Sequence, residues 1–211
     1  AMDLPWQKLD VTTFSWQKVL GGEGGFGTLI LSPRAVERLE THVPTWPVPK
    51  IFRLTKGGKL IEGIFRGETI NTPSMLCIED ARDALAWAEE IGGLAVTIAR
   101  SQANLGVVKQ WVAQTDWVEF LADDPATRSS TSICLKVVDP DFTRLSADEQ
   151  WLRIKQAEGL LAEAEAAFDI AGHRDGPPGF RIWGGATVEA ADMRDMLPWL
   201  DWAFGQTQKG P

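Results

Sequence analysis

Apolar residues change their spacing several times along the chain, and each change marks an element. Val11 to Trp16, rich in β-branched and aromatic residues, predicts a buried strand, and Thr28 to Leu31 predicts a second. The connection between them, Gly21-Gly22-Glu23-Gly24-Gly25-Phe26-Gly27, holds so much glycine that its backbone is expected at positive φ or close against another group. Ser32 followed by Pro33 predicts an N-cap and first helical residue, opening a short helix to about Glu40. The order strand, loop, strand, helix predicts an α/β layer. Pro44, Pro47 and Pro49 make the next segment irregular, and Lys56-Gly57-Gly58-Lys59 between two apolar runs predicts a hairpin turn.

Thr72 before Pro73 predicts a further helix start, and apolar positions recur through Leu76, Leu85, Trp87 and Ile91 until Gly92-Gly93 stops the pattern. A second long helix, about Leu94 to Gln114, carries Ile98, Leu105, Val108 and Val112 on one face. These two helices are expected to bridge two domains, 1–92 and 93–211. Beyond Trp117 the expected order is strand (Val118 to Leu121), strand (Ser132 to Val138), helix (about Ala147 to Ala166), strand (Phe168 to Ala171), strand (Phe180 to Trp183) and helix (about Val188 to Phe204). That order describes a small α+β unit with its helices on one face of a sheet.

Composition narrows the function classes. The chain has 211 residues, 44% of them apolar, enough for a real core. Its 29 acidic and 21 basic residues leave a net charge of -8, which argues against a duplex nucleic-acid face. Cys77 and Cys134 each lie in an apolar run, so they read as small core residues and not as a disulfide framework or metal site. No apolar stretch approaches the roughly 20 residues of a membrane helix. Ala1 to Lys8 lacks the basic and apolar segments of a secretory signal, so the cytoplasm is the expected location. Ten Trp and no Tyr imply rich aromatic packing and no particular activity.

Three places could carry chemistry. Lys18 stands where a strand ends and a glycine-rich loop begins; it is either a solvated strand-end charge or a working amine, since ligands bind at the carboxyl ends of strands and a partly buried lysine is easily deprotonated. Asn71-Thr72-Pro73 at a helix start is either a plain N-cap or an anion site built from free amides. Gly172-His173-Arg174-Asp175-Gly176-Pro177-Pro178-Gly179-Phe180-Arg181 is either a surface hairpin or a double-anion site, because each arginine fork can take a carboxylate or phosphate. His42 reads as a surface or packing histidine, and Glu163-Ala164-Glu165 as a solvated helix face.

Phe14-Ser15-Trp16-Gln17-Lys18-Val19-Leu20-Gly21-Gly22-Glu23-Gly24 resembles the cofactor-lysine segment of phosphoserine aminotransferases in their alphaproteobacterial form. Matching stretches follow in order at Lys56-Gly57-Gly58-Lys59-Leu60-Ile61, Gly67-Glu68-Thr69-Ile70-Asn71-Thr72-Pro73-Ser74, Arg128-Ser129, Gly172-His173-Arg174 and Phe180-Arg181-Ile182-Trp183, covering essentially the whole chain. The resemblance implies the C-terminal part of a fold-type I aminotransferase dependent on pyridoxal phosphate: the end of the large domain, 1–92, then the linking helix and small α+β domain, 93–211. It implies that Lys18 carries the cofactor and shuttles a proton between the substrate α-carbon and the cofactor carbon, with Gln17 touching the cofactor beside it. Asn71 and Thr72 would hold the cofactor phosphate across a homodimer interface. Arg181 would pair with the α-carboxylate, and His173 and Arg174 with the distal phosphate or carboxylate.

The reaction implied moves an amino group from glutamate to 3-phosphohydroxypyruvate, giving phosphoserine and 2-oxoglutarate; related bacterial enzymes also serve vitamin B6 synthesis. Family members are about twice this long. The aspartate at the pyridine nitrogen, the stacking aromatic and further phosphate ligands are expected in their other half. Two alternatives follow. One is a shortened, non-catalytic scaffold that keeps the dimer surface and anion site. The other is a different class V aminotransferase, disfavoured because glyoxylate-type substrates give His173, Arg174 and Arg181 no second anion.

Overall fold

A computed structural model describes residues 1–208. The chain divides into two units, Met2–Glu90 and the residues from Ile91 onward. In the first, β1 (Val11–Ser15) and β2 (Gly27–Leu31) form an antiparallel ribbon with Val11 opposite Leu31 and Ser15 opposite Gly27. Helix α1 (Pro33–Thr41) follows at once, because Ser32 accepts the Ala35 N–H and Pro33 occupies the first turn. Asp10 locks this junction: its carboxylate accepts from Ser32 Oγ at 2.8 Å and Arg34 Nε at 2.9 Å. Those bonds, Arg34's first and Ser32's second, hold the Asp10 carboxyl below the usual carboxylate range.

The strand expected to be buried at Val11 to Trp16 is an open one. Val11, Phe14, Leu29 and Ile30 are exposed, because a ribbon of two strands has too little structure to cover both faces, and α1 packs on β2 and β4. An apolar groove of about 490 Å³ remains beside α1, lined by Val11, Leu29, Leu31, Ala35, Leu39 and Leu54 and edged by Asp10 and Arg34. The expected hairpin is present as β3 (Thr55–Lys56) and β4 (Lys59–Leu60). Gly57 and Gly58, at φ of 61° and 76°, supply the two left-handed residues that its tight turn needs. Glu40 ties this hairpin to α1 by accepting Leu60 N–H and Lys59 Nζ, each at 3.0 Å.

Helix α2 (Met75–Glu90) starts later than Thr72-Pro73 predicts. Ser74 performs the capping instead: its Oγ accepts the Cys77 N–H at 3.4 Å and its carbonyl accepts the Ile78 N–H at 3.3 Å. Thr72 therefore stands two residues before the residue that caps the helix. Gly92 and Gly93, both at positive φ, end the pattern as expected.

The second unit is a three-stranded antiparallel sheet, β5 (Val118–Phe120), β6 (Ser132–Val137) and β7 (Gly179–Trp183), in that spatial order. Helices α3 (Gly93–Val112), α5 (Ala147–Glu163) and α6 (Ala190–Gln208) pack with it. Ile133, Leu135 and Val137 alternate with half-buried residues along β6, so one face of the sheet enters the core. On α5, Ile154, Ala157 and Leu161 are fully buried. Trp117 stacks on Phe204 with ring centres 4.1 Å apart, and its indole N–H and that of Trp111 both donate to Asp201. Helix α4 (Pro140–Thr143), absent from the periodicity reading, is a single turn capped by Asp139 over the buried Phe142.

Two expectations change here. Helix α5 ends at Glu163 and not near Ala166, since Glu165 turns left-handed at φ 53° and Ala166 N–H returns to Leu161 O at 2.9 Å. The strand expected at Phe168 to Ala171 reduces to one bridge, Ala171 with Phe180. Asp169 at φ 52° breaks the extended run, and Phe168 is exposed. Among the described residues, no helix is long and apolar enough to cross a membrane.

The start of α5 supplies a test. Ser146 and Glu149 form a reciprocal capping box. The Glu149 carboxyl is held below its ordinary range, first by the Ser146 hydroxyl and then by the Ser146 N–H. Its contribution is therefore complete above the ordinary carboxylate pKa and lost as pH falls through the lowered one. Urea unfolding of wild type and Glu149→Ala should show a stability gap at neutral pH that shrinks on acidification below about pH 4. A gap independent of pH would contradict the capping account.

Candidate functional site

Lys18 owes its place to the way the β1–β2 connection closes. The ladder continues one residue past β1, where Trp16 N–H donates to Phe26 O at 3.1 Å. The Trp16 indole donates to Thr28 Oγ1 at 3.0 Å and stacks on Phe26, which clasps the neck of the loop. Lys18 then opens a turn, its carbonyl accepting Gly21 N–H at 3.1 Å with Gly21 at φ 67°. Its side chain is exposed rather than partly buried, and no acidic group pairs with it among the described residues. Glycine is required at Gly27, where a Cβ would stand 2.6 Å from Phe14 O. At Gly24 the Gln17 carboxamide oxygen lies 2.8 Å from the place a Cβ would take, so Gln17 folds back over the loop beside Lys18.

Asn71 and Thr72 lie in the irregular stretch between a 3-10 turn, Glu62–Arg66, and α2. Gly67 ends that turn at φ 97°, and Glu68 N–H bonds back to Gly63 O at 2.8 Å. Because Ser74 caps α2, neither Asn71 nor Thr72 spends its side chain on the helix. Both are exposed, and neither has a hydrogen-bond partner among the described residues. The plain N-cap reading thus moves two residues along the chain, leaving two polar side chains available before a helix N-terminus.

On the second unit, β7 presents Arg181. Cys134 is its partner across β6, and the two occupy the face of the sheet opposite Ile133, Leu135, Phe180 and Ile182. Arg181 is half-buried, with Nη2 3.7 Å from the exposed Asp169 carboxylate. The six residues from His173 to Pro178 form a loop whose neck is tied twice: Arg181 N–H to Ile170 O and Gly172 N–H to Gly179 O, both 2.8 Å. His173 and Arg174 are exposed on this loop. His173 Nδ1 accepts the Asp175 N–H at 3.2 Å, which leaves Nε2 to carry the ring proton outward as a donor. Arg174 has only a loose approach of 3.8 Å to Asp175, so its fork faces solvent.

The segment after β7 is held by residues that periodicity does not single out. Asn104 on α3 is 1% exposed, and its Nδ2 lies within 3.2 Å of the Gly184, Gly185 and Val188 carbonyls. Arg100 donates to Ala186 O at 2.6 Å and pairs with Glu189. Thr97, Ser101 and Asn104 repeat at helical spacing, so the signal was a polar stripe on a buried face. The seven candidates therefore fall into two sets, with Gln17, Lys18, Asn71 and Thr72 on one unit and His173, Arg174 and Arg181 on the other. No group of three His, Cys, Asp or Glu suited to a metal occurs among the described residues.

No family model matches the chain. It is 52% identical over 204 residues to a phosphoserine aminotransferase of Methanosarcina mazei and 54% identical over 204 residues to one of Methanosarcina barkeri. Each match takes in 97% of this chain and 52% of the relative. The chain thus spans about half the length of the curated relatives it matches. Among solved structures, the phosphoserine aminotransferase of Trichomonas vaginalis, described as bound to pyridoxal phosphate, superimposes with a TM-score of 0.70 at 18% identity. That likeness covers 94% of this chain and 49% of the other, and it concerns the fold: the end of a large domain followed by a small α+β domain.

Proposed function

Since the chain belongs to the phosphoserine aminotransferase family and corresponds to about half of that family's sequence, we propose that it is the cofactor-lysine part of a transaminase dependent on pyridoxal phosphate, joining glutamate and 3-phosphohydroxypyruvate to 2-oxoglutarate and phosphoserine in serine biosynthesis. The observation that carries this is Lys18, an exposed amine with no acidic partner among the described residues, on a turn that glycines hold open after β1. The residues present fit the cofactor. An unpaired amine is what a covalent carrier needs, and Asn71 and Thr72 have side chains to spare for its phosphate.

Bound pyridoxal phosphate supplies an electron sink for the charge left when the substrate's α-proton departs. Lys18 Nζ would take up that proton from the substrate α-carbon and deliver it to the cofactor carbon, so that the donor leaves as its keto acid. Gln17, next to Lys18 in the chain, touches the cofactor beside it. Arg181, half-buried and set on the rigid β7, pairs its fork with the α-carboxylate common to every amino-acid donor. His173 Nε2 and Arg174 take the distal phosphate or carboxylate. The assembly is a cytoplasmic homodimer in which Asn71 and Thr72 of one subunit serve the partner's cofactor. The activity also serves pyridoxine biosynthesis.

Borohydride reduction of the cofactor-loaded protein, followed by peptide mapping, should place the label on Lys18; a label on Lys56 or Lys59 would displace this assignment. Shared sites are tested by mixing Lys18→Ala with Asn71→Ala subunits of the complete enzyme. A mixed dimer holds one site with both groups intact, so activity should return. No recovery despite verified exchange would mean that each site is built within one chain.

Substrate choice is tested in the complete enzyme with phosphoserine, glutamate and alanine as donors. Removing a charge-assisted contact costs about 1.5 to 3 kcal/mol, roughly ten- to hundredfold. Arg174→Ala should weaken phosphoserine and glutamate by that amount and spare alanine, whereas Arg181→Ala should weaken all three. Equal losses for alanine and phosphoserine in Arg174→Ala would move the distal-anion role elsewhere.

A further inference from the structure

We propose that Glu158 on α5 is a positioning residue that fixes the His173–Arg174 loop by completing the hydrogen bonding of its first strand; the inference rests on the distal-anion role proposed above. In the bridge between Ala171 and Phe180, the bonds to β7 are made by the flanking residues, from Arg181 N–H to Ile170 O and from Gly172 N–H to Gly179 O. Ala171 therefore sits at a non-hydrogen-bonded position, and its own N–H points away from β7, off the edge of the sheet. Yet Ala171 is 4% exposed, so water cannot serve that donor freely. A buried backbone N–H demands an acceptor, and Glu158 Oε1 supplies it at 3.2 Å.

The carboxylate is itself held. Its other oxygen accepts Lys155 Nζ at 2.7 Å, and its side chain is only 19% exposed. On either side of it along α5, Ile154, Ala157 and Leu161 are fully buried and anchor the helix in the core. The chain thus leaves a fixed point at Ala171 and reaches His173 two residues later and Arg174 three residues later. Without that point, the segment before the loop keeps its two bonds to β7 and the burial of Ile170, while the buried Ala171 N–H is left with no acceptor. A site loosened in this way loses grip on the anion that the loop reads, whereas Arg181, inside the β6–β7 ladder, stays in place.

The test compares Glu158→Ala and Glu158→Gln in the complete enzyme, with Arg174→Ala alongside. Gln keeps a carbonyl acceptor for Ala171 N–H and loses the charge; Ala loses both. Amide exchange at Ala171 should quicken about tenfold or more in Glu158→Ala and stay near wild type in Glu158→Gln, with Leu135 and Ile182 amides unchanged as a check on the fold. In Glu158→Ala the KM for phosphoserine should rise about tenfold while alanine's KM and both kcat values stay within about twofold, and Gln should restore it. Unchanged exchange at Ala171, or Gln behaving as Ala, overturns the proposal. So does a uniform loss across donors in Glu158→Ala when Arg174→Ala still discriminates between them. If Arg174→Ala itself fails to discriminate, the distal-anion reading falls, and the exchange measurement alone decides whether Glu158 anchors the loop.

Discussion

Side chains on a strand alternate between its two faces, and in β6 and β7 that alternation sends Ile133, Leu135, Phe180 and Ile182 into the helices and Arg181 to the opposite side. Each large apolar group in that set contributes about 1.5 to 3 kcal/mol on burial, so a slip of one residue would forfeit several such terms at once. The register is consequently well determined, and with it the side of the sheet on which the guanidinium stands. Arg181 needs no dedicated support, because the core that stabilises the unit also aims it. The neighbouring loop is different. His173 and Arg174 lie beyond the ladder, and what orders them is the paired neck at Ile170 to Gly172 together with the carboxylate behind it.

The first unit is organised by backbone and charge more than by burial. Its ribbon leaves Val11, Phe14, Leu29 and Ile30 exposed, and polar contacts define the joints: Asp10 with Ser32 and Arg34, and Glu40 with Lys59 and Leu60. These ion pairs are exposed and add little to stability, but they fix direction where few side chains interdigitate. Glycine does the rest. Gly27 allows β2 to approach the Phe14 carbonyl, and Gly21 turns the chain just after Lys18. An amine just past the end of a strand and two spare polar side chains ahead of a helix are then presented without competing partners among the described residues.

Local pattern made much of this architecture legible. The alternation in Ser132 to Val138, the Ser32-Pro33 start of α1 and the paired glycines of the β3–β4 turn each depend on residues close in sequence, and each appears where its pattern places it. Departures arise where the deciding partner is distant or where two local signals compete. Thr72 and Ser74 are both good caps, and only the bonds actually formed choose Ser74. Phe168 to Ala171 has strand-like composition, but a left-handed Asp169 confines pairing to one bridge.

The sequence by itself determined the order and type of most elements, the candidate residues Gln17, Lys18, Asn71, Thr72, His173, Arg174 and Arg181, and through motif likeness the family. Those properties rest on side-chain period, turn chemistry and residue identity, all of which are carried within a few neighbours. Only the tertiary structure decided that the first ribbon is open, that Lys18 is exposed, that Asn104 holds the segment after β7 and that Glu158 answers the buried N–H of Ala171. Asn104 stands 80 residues from Gly184 and Glu158 stands 13 from Ala171. Contacts across such separations leave no period in the chain, because they follow from how whole elements pack and which backbone donors that packing buries.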